Sequence, residues 1–180
     1  MRISLNFLAL IILAASNVAM ARSETLVFET MHHKVVIDVL ADDLNHPWGL
    51  AFLPDGSPLI TERSGKLKSF SRDGKPILIT GVPKVWASGQ GGLLDVAISP
   101  QFVRNKLIYL SFAEPSRDGR TAGTALASGY LELSGKPQLR NVKVIFSQIK
   151  KTSSVLHFGS RIVIPPYNRI FLTIGDRGDG

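Results

Sequence analysis

Short apolar stretches alternate with turn-forming residues along most of the chain. Their boundaries are Val35–Leu40, Gly49–Leu53, Pro58–Arg63, Lys66–Ser71 and Ile77–Thr80. Glycine, proline and aspartate stand between them, as in Pro54-Asp-Gly, and these residues favour turns. Strand-length segments at intervals of roughly 8–12 residues predict an antiparallel all-β fold. No convincing amphipathic helix interrupts the pattern.

One unit, an apolar strand followed by a proline turn and a second apolar strand, occurs three times. Its prolines are Pro54, Pro100 and Pro165, which stand 46 and 65 residues apart. A repeat of roughly 40–50 residues with four strands is typical of a β-propeller blade. The longer second step predicts an insertion, which we place in the polar stretch Glu114–Thr124. A β-sandwich with a chance proline repeat is the alternative interpretation.

The number of repeats sets an expectation for the whole protein. The sequence has material for about three blades, whereas propellers usually close with four or more. We therefore expect residues 22–180 to be a partial propeller that belongs to a longer protein. Closure by association of several chains is the alternative.

The N-terminal 21 residues have the layout of a secretory signal peptide. Arg2 supplies the positive charge, Phe7–Ala15 is an apolar core, and Ala19-Met-Ala is a small-x-small cleavage site. This predicts a periplasmic or secreted protein, with an uncleaved anchor as the alternative. No later stretch approaches ~18 apolar residues, so we expect no stable membrane insertion after cleavage. The absence of cysteine fits a periplasm-like space at least as well as a eukaryotic exterior.

The chain is basic, with 21 lysines and arginines against 14 acidic residues and a formal net charge of +7. The basic residues are scattered, and only Lys150 and Lys151 are adjacent. A nucleic-acid site would need a clustered basic patch with aromatic neighbours, so we expect no nucleic-acid partner.

Three polar residues are candidates for chemistry. Gln90 lies among glycines in Gly89-Gln-Gly-Gly, where it can present hydrogen-bonding groups to a sugar hydroxyl. His157 begins an apolar strand and can act as a general base. Asp176 lies in a loop after a strand, where it can orient that histidine. The alternatives are a glutamine that only faces water, a structural histidine and a solvated turn with a local ion pair. No metal-ligand spacing such as H-E-x-x-H occurs, so no metal site is predicted from spacing.

Four stretches together resemble the soluble quinoprotein sugar dehydrogenases, the glucose/sorbosone and aldose sugar dehydrogenase family. They begin at His46-Pro-Trp-Gly, Gly89-Gln-Gly-Gly, Leu107-Ile-Tyr-Leu and His157-Phe-Gly-Ser, and the last continues to Phe171-Leu-Thr-Ile-Gly-Asp-Arg-Gly-Asp. They follow the family's order with similar spacing. The resemblance covers about residues 36–180 and corresponds to the N-terminal part of the family.

The resemblance implies a six-bladed propeller that binds pyrroloquinoline quinone (PQQ) and calcium and oxidises the anomeric carbon of aldose sugars. Gln90 matches the substrate-binding glutamine, His157 the general base, and Asp176 a carboxylate near that base. The resemblance also implies that hydride passes to the quinone and that the reduced quinone then gives its electrons to an external acceptor. Most cofactor-holding residues and the calcium ligands are expected downstream of Gly180. A truncated, non-catalytic propeller fragment or binding module is the alternative.

Overall fold

A computed structural model describes residues 25–71, 74–167 and 169–178, which fall into two compact units divided between Asp38 and Val39. The described part of the first unit is one antiparallel hairpin of β1 (Thr25–Glu29) and β2 (Lys34–Asp38). The predicted signal peptide, residues 1–21, lies outside the described residues.

The second unit is built mainly from two four-stranded antiparallel meanders, each with its strands in chain order. The first contains β3 (Pro47–Phe52), β4 (Pro58–Glu62), β5 (Lys66–Phe70) and β6 (Pro76–Ile79). The second contains β7 (Leu93–Ile98), β8 (Leu107–Pro115), β9 (Ala122–Glu132) and β10 (Gln138–Ser147). A third, two-stranded sheet pairs β11 (Gly159–Val163) with β12 (Phe171–Ile174).

The all-β prediction is confirmed in the described residues. A four-residue helix, α1 (Phe102–Asn105), is the one helix among them. No helix in these described segments has the length and apolar character needed to span a membrane. Pro54, Pro100 and Pro165 lie in the turns of the β3–β4, β7–β8 and β11–β12 hairpins, so the repeated unit is present as predicted. The number of blades and the closure of a propeller remain predictions.

The stretch Glu114–Thr124, where we expected the insertion, forms the end of a lengthened hairpin: β7 pairs with β8 only as far as Phe112, whereas β8 and β9 pair on to Pro115 and Ala122. Pro115 ends β8, Ala122 begins β9, and the residues between them form a tight hairpin turn in which Ser116 N–H bonds the Thr121 carbonyl. The second repeat is longer mainly because β8, β9 and β10 have 9, 11 and 10 residues, whereas β4, β5 and β6 have 5, 5 and 4. The polar residues therefore marked the position of added residues, but they did not show that these residues extend two paired strands.

The β3–β4, β7–β8 and β11–β12 hairpins each contain a bulge. At each bulge a backbone N–H that does not join the strand ladder donates to a hydroxyl on the neighbouring strand. Gly49 N–H donates to Thr61 Oγ1 at 2.8 Å, and Asp95 N–H donates to Ser111 Oγ at 2.9 Å. Arg161 N–H donates to the Thr173 hydroxyl at 2.9 Å. The recurrence of this bond shows that the sequence repeat is also a structural repeat.

The first two hydroxyls also connect successive sheets. Thr61 donates to the Leu94 carbonyl on β7, and Ser111 donates to the Ser160 carbonyl on β11 at 2.6 Å. Asp95, which is 2% exposed, adds a further link, because it accepts from Ile162 N–H at 2.8 Å and from Arg161 at 2.9 Å.

The main hydrophobic core lies between the two four-stranded sheets. Buried members include Leu59, Leu67, Leu93, Ile108 and Phe112, each at most 1% exposed. A second cluster contains Leu94, Ala113, Ala122 and Phe158, with Trp48 and Trp86 packed against it. This second cluster supports the loops that carry the candidate residues.

Candidate functional site

The three predicted site residues come together where three loops meet. Gln90 lies in the loop before β7, His157 in the loop before β11, and Asp176 directly after β12. The Gln90 side-chain carbonyl accepts a hydrogen bond from His157 N–H at 2.8 Å. His157 Nδ1 lies 2.8 Å from Asp176 Oδ1. A contiguous group, Gln90–His157–Asp176, therefore spans 87 positions of the sequence.

The contacts assign hydrogen-bonding roles to each group. A hydrogen bond from Gly178 N–H at 2.9 Å, followed by the His157 contact, lowers the pKa of Asp176 below its ordinary value. The ionised carboxylate has no proton to donate, so His157 Nδ1 must carry the hydrogen of their bond. A neutral tautomer with its hydrogen on Nδ1 has a lone pair on Nε2, where it can accept a proton.

His157 holds an unusual backbone conformation. Its φ is +50°, in the left-handed region, and its side chain is 52% exposed. Gly175 allows this arrangement because a Cβ there would lie 1.9 Å from the His157 carbonyl oxygen. The backbone at His157 is therefore held by the close approach of the strand end.

The glycines around Gln90 have specific tasks. Gly89 has a φ of +55°, and a Cβ on Gly92 would lie 2.0 Å from the Arg63 carbonyl oxygen. The loop can therefore approach the β4–β5 turn only without a side chain at Gly92, and Gly89 lies similarly close to Val155. Gln90 does not simply face water, since its carbonyl is engaged by His157. Among described residues its amide NH₂ has no hydrogen-bond partner and remains available as a donor.

A cavity of about 210 Å³ opens beside this group. Its lining residues are Trp48, Arg63, Gln90, Leu94, His157, Phe158 and Gly159. Arg63 Nε is buried and has no hydrogen-bond partner among the described residues. The cavity thus combines a hydrogen-bonding amide, an imidazole, an aromatic ring and a cationic group with an unused donor.

The sequence interpretation missed Trp48, Arg63 and Arg177. Trp48 and Arg63 follow ordinary strand patterns, and only the folded chain brings them to the cavity. The Arg161 guanidinium also lies over the Trp48 ring, 4.8 Å from its centroid. The alternative of a solvated turn is wrong for Arg177, which is 2% exposed. No local signal marks this residue, because Gly-Asp-Arg-Gly is typical of an exposed loop.

A larger cavity of about 710 Å³ lies elsewhere, beside the β3–β4 and β9–β10 turns. It contains none of the three predicted residues, and its borders include Leu53, Phe102, Tyr130 and Leu133. We do not place the candidate chemistry there, because size alone does not supply convergent polar groups.

The described segments contain no set of side chains that could bind calcium. No group of three or more His, Asp or Glu side chains there is arranged to hold a metal ion. Calcium normally takes six to eight oxygen ligands, so the described residues do not fit this ion.

Comparison with known proteins gives a family match over most of the chain. Residues 44–180 match the model of the Glucose / Sorbosone dehydrogenase family. Aldose sugar dehydrogenase YliI of Escherichia coli (strain K12) is 42% identical over 144 residues, which cover 79% of this chain and 38% of that protein. Quinoprotein glucose dehydrogenase B of Acinetobacter calcoaceticus is 33% identical over 147 residues, covering 78% of this chain and 30% of that protein.

A solved structure shows the same similarity in three dimensions. The PQQ-bound aldose sugar dehydrogenase of Streptomyces coelicolor superposes with a TM-score of 0.70 at 27% identity. The superposition covers 87% of this chain and 44% of that structure. The chain spans about a third of the length of the curated relatives it matches. Its described fold and the match over residues 44–180 show that the chain belongs to the glucose/sorbosone dehydrogenase family.

Proposed function

We propose that the chain forms part of a PQQ-dependent oxidoreductase that oxidises the anomeric carbon of aldose sugars. The observation that carries the proposal is the position of His157, whose ring is bonded to Asp176 on one nitrogen and borders the cavity. The similarity to a quinoprotein glucose dehydrogenase and to a PQQ-bound aldose sugar dehydrogenase supports the substrate and cofactor class.

The proposed chemistry divides the work among the three residues. The Gln90 NH₂ donates a hydrogen bond to a sugar hydroxyl and fixes the sugar's orientation. His157 Nε2 accepts the proton of the anomeric hydroxyl as the C–H bond breaks and the lactone carbonyl forms. The Asp176 carboxylate stabilises the resulting imidazolium and keeps the ring in its orientation. PQQ, when bound, supplies the acceptor for the hydride that leaves the anomeric carbon.

Arg63 is the residue in this chain that best fits the cofactor. PQQ carries carboxylate and carbonyl oxygens, and the buried Arg63 Nε offers a cationic donor without a partner. Trp48 adds an aromatic surface to the same cavity. The remaining cofactor contacts are proposed to come from residues beyond Gly180. Calcium is proposed from the family resemblance alone and is given no residue and no step.

The test compares two histidine variants of the purified chain. PQQ and calcium are titrated against tryptophan fluorescence, and an aldose with a dye acceptor then measures turnover. His157→Gln should bind the quinone but lower kcat by about 10²–10⁴-fold, because the proton acceptor is lost. His46→Gln is the matched control, since His46 has the same φ of +50° and is exposed. It should keep the activity of the unmodified chain.

Two outcomes would count against the proposal. Equal activity of the His157→Gln variant and the unmodified chain would remove His157 as the base. An absence of saturable quinone binding would favour the alternative of a non-catalytic propeller fragment or binding module.

The proposal also includes an external electron acceptor and a periplasmic or secreted location. The location rests on the signal peptide predicted at residues 1–21.

A further inference from the structure

Arg177 is a buried cation next to the candidate site, and the proposed chemistry gives it no task. Its guanidinium donates to three backbone carbonyls, from Nε to Leu156 at 2.8 Å, from Nη1 to Ala122 at 2.7 Å and from Nη2 to Ser154. A buried guanidinium is costly to desolvate unless its donors are well satisfied. We therefore consider which part of the fold the buried Arg177 guanidinium stabilises.

The contacts of Arg177 surround His157. Leu156, whose carbonyl accepts from the guanidinium, directly precedes His157. Phe158 directly follows it, and the Arg177 Cζ lies 3.6 Å from the centroid of the Phe158 ring. The chain between β10 and β11 forms no regular strand, and its backbone pairing consists of single contacts such as the isolated Ala122–Thr152 bridge and the bond from Gln90 N–H to the Val155 carbonyl.

Asp176 and Arg177 thus hold the same residue in two different ways. Asp176 binds the His157 ring, whereas Arg177 binds the Leu156 carbonyl before His157 and stacks on the Phe158 ring after it. Thr124 adds a hydrogen bond from Oγ1 to the Phe158 carbonyl at 2.6 Å. Together these contacts stabilise the left-handed conformation of His157, which is unfavourable for an L-residue without support.

We propose that Arg177 is a positioning residue that holds the residues on both sides of His157, through the Leu156 carbonyl and the Phe158 ring, so that the His157 ring meets Asp176 and borders the cavity. The catalytic consequence rests on the proposed function, whereas the geometry exists without cofactor or sugar. Arginine suits this role because its planar fork can donate in several fixed directions while its face stacks on an aromatic ring. Lysine has one compact ammonium and cannot reproduce both contacts.

The main experiment uses NMR spectroscopy of the chain without ligands. Hydrogen exchange reports the His157 amide that bonds Gln90, and ¹⁵N spectra of the ring report whether Nδ1 carries the hydrogen. The His157→Gln variant assigns these signals among the four histidines of the sequence. In Arg177→Met we expect exchange of the His157 amide to become about tenfold faster or more, because the local backbone opens. The ring should also lose its uniform Nδ1-protonated form.

Leu139→Ala is the control for general destabilisation. Leu139 is 5% exposed in the core between the two large sheets and belongs to β10. This variant should lower Tm while leaving the His157 ring form unchanged. If Arg177→Met leaves both the exchange rate and the ring form as in the unmodified chain, the proposal is overturned.

Arg177→Lys keeps the test decisive if the methionine variant does not fold. It retains a positive charge but loses the fork and the stacked plane, so we expect the His157 amide to exchange faster than in the unmodified chain. A lysine variant identical to the unmodified chain in both measurements would contradict the role of the guanidinium.

Failure of the proposed function would give a different pattern of results. A chain that binds no quinone would still show the effect of Arg177→Met on the His157 signals. Where turnover is measurable, Arg177→Met should lower kcat more than it raises KM, because the base is misplaced while the sugar-binding amide is retained. A change confined to KM would contradict a positioning role.

Discussion

At the scale of single residues, the candidate site depends on a backbone that comes unusually close to itself. The His157 carbonyl lies against Gly175, where a Cβ would be 1.9 Å from the oxygen and 2.5 Å from the carbonyl carbon. Both neighbours are backbone atoms and cannot rotate away as a flexible side chain can. The glycine is therefore as important for the position of His157 as the polar contacts are.

Gly175→Ala should displace His157 and reduce kcat by about 10²-fold, since a misplacement near 1 Å can have an effect of this size. Turnover with an aldose and dye acceptor measures the loss, and the ring NMR signal reports the changed contact with Asp176. Gly56→Ala is a demanding control, because Gly56 has a φ of +84° but open space around its Cβ position. It should lose stability and keep activity. Full activity of Gly175→Ala would show that the loop can adjust.

The residues that the sequence identified share a recognisable local setting. Gln90 stands among glycines, and His157 and Asp176 flank apolar strands, so the pattern marked them as candidates and the family resemblance suggested their roles. Arg177 and Arg63 could not be found in this way. Burial of an arginine depends on carbonyls and rings contributed by distant segments, and that arrangement exists only after the sheets have packed.

At the scale of secondary-structure elements, the feature that recurs in each repeat is a hydroxyl that bonds the backbone at a strand bulge. Ser111 accepts from Asp95 N–H and donates to the Ser160 carbonyl, so one side chain satisfies two buried backbone groups on different sheets. Thr61 does the same between β3 and β7. Polar hydroxyls in the core therefore join successive sheets where apolar side chains would leave backbone groups unpaired.

Ser111→Ala should destabilise the chain by about 2–6 kcal/mol, because it leaves two buried backbone groups unsatisfied and each costs roughly 1–3 kcal/mol. Urea unfolding monitored by tryptophan fluorescence measures this difference. Ser134→Ala serves as the control, since Ser134 is exposed in the β9–β10 turn and should change stability by less than about 0.5 kcal/mol. A Ser111→Ala variant as stable as this control would show that water replaces the hydroxyl.

The strands themselves were largely predictable, because turn residues and apolar runs mark their limits. Predicted Pro58–Arg63 and Ile77–Thr80 correspond to β4 and β6 within one residue at each end. The great length of β8 to β10 was not predictable from these signals. Strand length there is set by pairing between neighbours, which continues through Thr124 and Ala125 without a break in the ladder.

At the scale of the whole molecule, the charge that the described residues bury most completely in an ion pair is that of Glu62. The Glu62 carboxylate is fully buried and accepts from Asn45 N–H at 2.8 Å and from Lys68 Nζ at 2.8 Å. Burial by itself raises the pKa of Glu62, but the Asn45 and Lys68 contacts together outweigh it and hold the pKa below the ordinary value. The ionised form is therefore the one that the fold stabilises.

The pKa of Glu62 is lower in the folded chain than in the unfolded chain, where glutamate has a pKa of about 4.3. The ionised Glu62 therefore contributes its full stabilisation above the unfolded pKa. This stabilisation is lost as the pH falls through the folded pKa. Glu62→Gln should therefore lower Tm clearly at pH 7, and its difference from the unmodified chain should narrow toward pH 3. Thermal unfolding followed by circular dichroism between pH 7 and 3 measures this difference. Glu132→Gln, which removes an exposed pair with Arg140, should change Tm little at any pH. A Glu62→Gln difference that stays constant across this range would mean that the effect arises from packing of the new amide and that the charge contributes nothing.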